Sequence, residues 1–140
     1  MEILYFDHSA STPIHSQVAE TVSEVMKLHY ANAASLHRAG TEAMKLVDKA
    51  RSVIAAGFGA KPEEVVFTSG GTESNNMALK GIWGVLGRKA RHMVVSSVEH
   101  PSVYRCALQL EQSGVEVTWV PVDSHGRVRV NDVMDAVRED

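Results

Sequence analysis

Phe67-Thr68-Ser69-Gly70-Gly71-Thr72-Glu73-Ser74-Asn75-Asn76 reads as the end of a buried strand, a glycine turn and the first turn of a helix. That arrangement builds an anion site. The first N–H groups of a helix lack intrahelical acceptors and sit at the positive end of the helix dipole, so a phosphate is stabilised there. Gly70 and Gly71 have no Cβ, which allows a tight turn and close approach of the backbone to a ligand. Ser69 and Thr72 add hydroxyl donors. A strand–Gly-Gly–helix pattern alone is as compatible with a plain tight connection as with a phosphate site. The stretch lacks Gly-Lys-Ser/Thr and the spaced glycines of a dinucleotide fingerprint, which argues against both of those loops.

On either side, apolar spacing gives a β/α alternation. Val65-Val66-Phe67 reads as a short buried strand. Ser74 to Leu86 reads as a helix, with Met77, Ile82 and Val85 as candidate core positions. Met93-Val94-Val95 is a second strand, and His100-Pro101 opens a long helix with Val103, Ala107 and Leu110 inward and Gly114 as its stop. Val115 to Val122 is a third strand, Asp123-Ser124-His125-Gly126 a turn, and Asn131 to Arg138 starts a last helix. Upstream, Met1 to Ser11 reads as an extended arm, and Thr12-Pro13 as an N-cap with proline at the first helical position. Val18, Val22, Val25 and Met26 then mark an amphipathic helix over about residues 13 to 29. A second helix begins near Ser35 and ends at Gly57 and Gly59. Strands alternating with helices predict an α/β domain with a largely parallel sheet. The last helix has no visible stop signal, which suggests a sequence that is cut.

The 140 residues are 44% hydrophobic and 22% charged, an ordinary globular composition with room for one real core. A net charge of -3 gives no general affinity for nucleic acid or anionic membrane. No apolar run is long enough to span a bilayer, and the first residues lack a secretory pattern, so a cytoplasmic location is expected. Cys106 is the single cysteine, and the seven histidines form no zinc pattern, so no metal site is expected.

Several side chains could carry chemistry. Ser96-Ser97-Val98-Glu99-His100-Pro101-Ser102 follows the second strand, where α/β domains place ligand-binding residues. His100 could stack on an aromatic ligand or move protons, but its position before a helix favours a capping or surface role. Asp7 and His8 suit a local turn better than acid/base work. Cys106 falls on the apolar face of its helix and reads as a small hydrophobe. Lys80 reads as a solvated charge near a helix C-terminus.

Together these segments resemble the cysteine desulfurase family, within the class V aminotransferases of pyridoxal-phosphate fold type I. The resemblance runs over essentially the whole chain. It is carried by Tyr5-Phe6-Asp7 through Ala10-Ser11-Thr12-Pro13, by Asn32 with Ser35-Leu36-His37-Arg38-Ala39-Gly40, and by Glu64 through Asn76. Glu99-His100-Pro101-Ser102-Val103, Gly114 through Thr118, and Pro121-Val122-Asp123 with Gly126 complete it. The departures are mild: Ala31-Asn32-Ala33 stands where the family commonly has Gly-Asn-Pro, His8 where asparagine or tyrosine is usual, and Ser11 where threonine is common.

The resemblance implies the N-terminal part of a large, cofactor-binding domain over residues 13–140, preceded by an arm over 1–12. The sheet would be mostly parallel with flanking helices, and later strands would separate its first strand from the next two. Pyridoxal 5'-phosphate would be the cofactor. Gly71 and Thr72 would bind its phosphate, and His100 would stack on its ring and assist proton transfer. Asn32 and His37 would lie near the active site or a dimer interface. The parent activity would take sulfur from L-cysteine onto an enzyme cysteine and release L-alanine, feeding a sulfur-acceptor or scaffold protein in iron–sulfur assembly or tRNA thiolation. A homodimer is implied. The family's cofactor-anchoring lysine, its ring-pairing aspartate and its sulfur-accepting cysteine have no counterpart among these residues, so the 140 residues alone are expected to be inactive. The alternatives are another class V enzyme, such as a selenocysteine lyase or an aminotransferase, and a non-catalytic remnant or partner subunit.

Overall fold

The computed structural model describes residues 4–86 and 92–138. The chain divides into two compact units, Met1–Val66 and Phe67–Asp140.

The first unit is helical. Helix α1 (Ser16–Leu28) buries none of its residues, and its stripe of Val18, Val22, Val25 and Met26 is exposed. It starts three residues later than Thr12-Pro13 predicts, with His15 in the cap position and no side-chain capping bond. The chain before it is not an extended arm throughout. Ala10 and Ser11 donate backbone N–H bonds to the Asp7 carbonyl, and the Tyr5 hydroxyl donates to the carbonyls of Asp7 and Ser11, both at 3.0 Å. These bonds close a turn over residues 7–11 and leave Thr12-Pro13 outside the helix. Helix α2 (Arg38–Gly57) buries Gly40, Ala43 and Ala55. It ends where Gly59 adopts φ +64°, with the Ala60 N–H on the Ala55 carbonyl at 2.9 Å and the Gly59 N–H on the Ala56 carbonyl at 3.2 Å. That paired closure satisfies two carbonyls that the helix end would otherwise leave open. A single 3-10 turn (Pro62–Glu64) packs against α2, and the Arg51 guanidinium donates to the Val65 carbonyl.

The second unit holds the sheet and the only packed core cluster among the described residues. Strands β1 (His92–Ser96) and β2 (Glu116–Val120) run parallel, with Met93 opposite Val117 and Val95 opposite Trp119. They are joined through helix α4 (Pro101–Gln112), which packs on both strands and on helix α3 (Gly71–Leu86). Cys106, Leu110 and Val115 form the buried centre, with Leu79 and Trp83 of α3 and Met93 and Val117 of the strands around it. Gly114 ends α4 as predicted: at φ +96° it lets Val115 return its N–H to the Leu110 carbonyl at 3.0 Å. The same turn drops Val115 onto Leu110 in the core. Helix α5 (Val130–Ala136) packs on β2, and Arg138 grips Glu116 through two bonds of 2.7 and 3.0 Å.

Three expectations need correction. Residues 65–67 are not a strand. Val65 is extended (φ -99°, ψ 121°), but no described strand lies alongside to make a ladder, and Val66 and Phe67 are 60% and 46% exposed. The helix predicted from Ser74 begins at Gly71, because hydroxyl and carboxylate partners in residues 68–74 organise an extra turn. Met77, Ile82 and Val85 are exposed rather than core. Helix α3 carries apolar residues on more than one side, and packing on α4 selects the stripe of Leu79 and Trp83.

Candidate functional site

The site forms at the N-termini of α3 and α4. Helix α3 opens at Gly71, so Gly71, Thr72 and Glu73 carry the N–H groups that a helix leaves without internal acceptors. The Ser74 N–H is the first to find one, on the Gly70 carbonyl at 3.1 Å. The approach loop is organised from within. The hydroxyls of Thr68 and Ser74 share a hydrogen bond of 2.7 Å. The Glu73 carboxylate accepts the Ser69 hydroxyl at 2.6 Å and the Ser69 backbone N–H at 2.7 Å. Those two bonds, the hydroxyl first, hold the Glu73 carboxyl below the ordinary carboxylate range. Ser69 is thus committed to Glu73 and is not a free donor, contrary to the expectation from sequence. The hydroxyl of Thr72 makes no hydrogen bond among the described residues.

The glycines also behave differently from the expectation. Neither Gly70 nor Gly71 has a positive φ, and a Cβ on either would meet nothing within 4 Å. The turn itself therefore does not require glycine. The open space beside them is room for a group brought close to the backbone.

His100 is both a capping residue and a site residue. It holds the cap position of α4 with Pro101 at the first helical position, and its Nδ1 accepts the Ser102 backbone N–H at 3.1 Å. The Ser102 hydroxyl lies 2.8 Å from the same nitrogen and receives the Asn75 side-chain amide at 2.9 Å. Asn76, next on α3, donates to the Thr72 carbonyl at 2.9 Å and to the Ser102 carbonyl at 3.4 Å. These bonds tie the two helix starts together. Between them lies an open cavity of about 280 Å³ whose lining includes Thr72, Asn76, His100, Arg105 and Gln109. That volume is near the lower end of the range for small-molecule pockets. Arg105 forms no ion pair among the described residues, so the cavity combines two helix N-termini, a free hydroxyl, a guanidinium and an imidazole. This donor set suits a phosphate ester carrying an aromatic ring.

The family model described as aminotransferase class-V matches residues 4–140. The chain belongs to this family. Among cysteine desulfurase relatives, the protein named IscS of Dictyoglomus turgidum (strain DSM 6724 / Z-1310) is 42% identical over 137 residues, covering 98% of this chain and 35% of that protein. The IscS of Methanosarcina thermophila is 38% identical over 137 residues, covering 98% and 34%. Among solved structures, a NifS-like protein superposes with a TM-score of 0.85 at 34% identity, covering 94% of this chain and 36% of its own. A structure titled SspA in complex with cysteine also gives 0.85, at 35% identity, covering 96% and 39%. The chain thus spans about a third of the length of the relatives it matches. The mixed α/β architecture with parallel strands is that of the fold type I cysteine desulfurases in the class V family.

The other residues singled out from this class V sequence are placed as follows. Asn32 and His37 lie in the first unit. The Asn32 side chain accepts the Ala34 N–H at 2.9 Å, and His37 caps α2 by accepting the Gly40 N–H on Nδ1 at 3.3 Å. Asp7 and His8 belong to the local turn, with the His8 ring edge-on to Tyr5 at 5.0 Å. Cys106 is 2% exposed in the core, as its helical position predicts, and also borders the cavity. Lys80 is exposed and lies in the interior of α3, six residues before its last residue Leu86 rather than at its C-terminus. No helix of the described residues is long and apolar enough to cross a membrane. Sequence reasoning gave no role to Asn75, Ser102 or Arg105. The signal was present in the spacing: Ser102 stands two residues after a capping His100, where its N–H must meet the cap.

Proposed function

We propose that this chain supplies the phosphate-holding and ring-facing part of a pyridoxal-phosphate-dependent cysteine desulfurase. The observation that supports this most is that Thr72 and His100, 28 residues apart, line one cavity at the start of α3. Gly71 and Thr72 would bind the cofactor phosphate through backbone N–H groups and the Thr72 hydroxyl. His100 would stack on the pyridine ring and hold a proton beside it. Pyridoxal 5'-phosphate, when bound, supplies the electron sink for cleavage of a carbon–sulfur bond. The substrate would be L-cysteine. Its sulfur would leave to a protein thiolate and L-alanine would be released, with a sulfur-acceptor protein downstream in iron–sulfur assembly. A cytoplasmic homodimer is the form we infer for the working enzyme. The 140 residues hold no lysine in a Ser-x-His-Lys setting, and Cys106 is buried in the core. On their own they would therefore bind cofactor without turning over cysteine.

Titration of the chain with pyridoxal 5'-phosphate, followed by cofactor absorbance and tryptophan fluorescence, tests the reading. Saturable binding is expected. Thr72→Val should weaken it about tenfold, the loss of one hydrogen bond to a charged group. An affinity unchanged in both Thr72→Val and His100→Ala would overturn the proposal. Cysteine-dependent alanine release by the 140-residue chain would overturn the inactivity.

A further inference from the structure

The bonds around His100 determine more than where its ring sits. A backbone N–H can only donate, so the Ser102 amide at 3.1 Å requires Nδ1 to present its lone pair. The Asn75 amide nitrogen can likewise only donate, and it reaches the Ser102 hydroxyl oxygen at 2.9 Å. Because Nδ1 presents its lone pair, the Ser102 hydroxyl can only donate its hydrogen to it across 2.8 Å, while its oxygen accepts from Asn75. Polarity therefore runs one way, from Asn75 through Ser102 to His100. The relay is anchored in packed structure, since Ser102 is only 8% exposed while His100 itself is exposed. His37 accepts a backbone N–H on Nδ1 at the start of α2 in the same way, but among the described residues no hydroxyl is hydrogen-bonded to its ring. The Ser102–Asn75 arm is thus an addition beyond capping.

We propose that Asn75 and Ser102 are positioning residues that hold His100 as the Nε2–H tautomer. The cavity occupant then meets an N–H donor at Nε2. With its lone pair turned into α4, the neutral ring cannot take a proton at Nε2, and any bond it makes there is one it donates. An acceptor atom on the occupant is matched by this arrangement, whereas an N–H acid awaiting a base at Nε2 is not. Only the identity of the occupant rests on the cofactor reading above; the tautomer rests on the hydrogen bonds alone.

Ring-nitrogen NMR of the ¹⁵N-labelled chain tests this. Spectra would be taken at about pH 8.5, well above the ordinary histidine pKa of about 6.5, with His100 assigned by its loss in His100→Gln. The expected result is an unprotonated Nδ1 and a protonated Nε2, with the Nδ1 resonance displaced from that of a free acceptor nitrogen. Ser102→Ala should move Nδ1 back toward the free position, Ser102→Thr should restore it, and Asn75→Asp, which has no hydrogen to donate, should move it partway. A protonated Nδ1 in the native chain, or an Nδ1 resonance identical in native and Ser102→Ala chains, would sink the proposal. Titration of the same samples with pyridoxal 5'-phosphate separates the two readings. Nitrogens as stated without cofactor binding would support the relay and remove the cofactor. Binding with nitrogens unlike those stated would retain the cofactor and remove the relay.

Discussion

Two glycines a short distance apart in sequence make opposite demands. A Cβ on Gly40 would lie 2.2 Å from the Ser35 carbonyl oxygen and 2.8 Å from that of Asn32. Both contacts are to backbone, so neither can rotate away. Gly40→Ala should cost about 1–3 kcal/mol, the range for overpacking a closed site, read as a lowered midpoint in urea. Gly71 is different, since a Cβ there meets nothing within 4 Å. Gly71→Ala should leave the urea midpoint unchanged or slightly raised while weakening pyridoxal phosphate binding. Loss of stability without loss of affinity would show that Gly71 serves the fold and not a ligand. From sequence Gly40 falls within the predicted second helix and Gly71 in the glycine turn, and neither placement tells what a Cβ would meet. Only the neighbouring carbonyls distinguish the one that chain packing requires from the one that faces open space.

Helix ends carry much of the local information. The stops of α2 and α4 were legible because Gly59 and Gly114 adopt φ of +64° and +96°, which glycine reaches without penalty. Gly114→Ala should destabilise the second unit by about 1–2 kcal/mol, measurable by thermal unfolding. Helix α3 starts three residues before Ser74 because partners further along the chain organise its first turn. Glu73 reaches back to accept the Ser69 N–H and hydroxyl. That contact has a pH signature. The Glu73 carboxyl is held below its ordinary value of 4.5, so its stabilising contribution is complete above that value and is lost as pH falls through the lower folded value. Melting midpoints followed downward from pH 6 should therefore fall more steeply for the native chain than for Glu73→Gln. Parallel curves would remove the contact from the account.

At the scale of the whole molecule, the two units differ in how they are held. In the second, one cluster joins α3, α4 and both strands, so Leu110→Ala should cost about 2–5 kcal/mol, seen as a loss of the cooperative transition or a large drop in its midpoint. In the first, α1 buries nothing and Leu36 is 99% exposed, so apolar surface stays in water. The chain should bind a hydrophobic dye while still folded. Much of this was legible in the sequence alone: the α/β class, the parallel pair, and the glycine stops at Gly59 and Gly114. These follow from local rules, because helix period and positive φ depend on near neighbours. Tertiary structure alone decided which stripe of α3 is buried, that residues 65–67 lack a ladder, and that Asn75 reaches Ser102 and through it His100. Each depends on what another segment places alongside, and apolar spacing does not say which neighbour will be there.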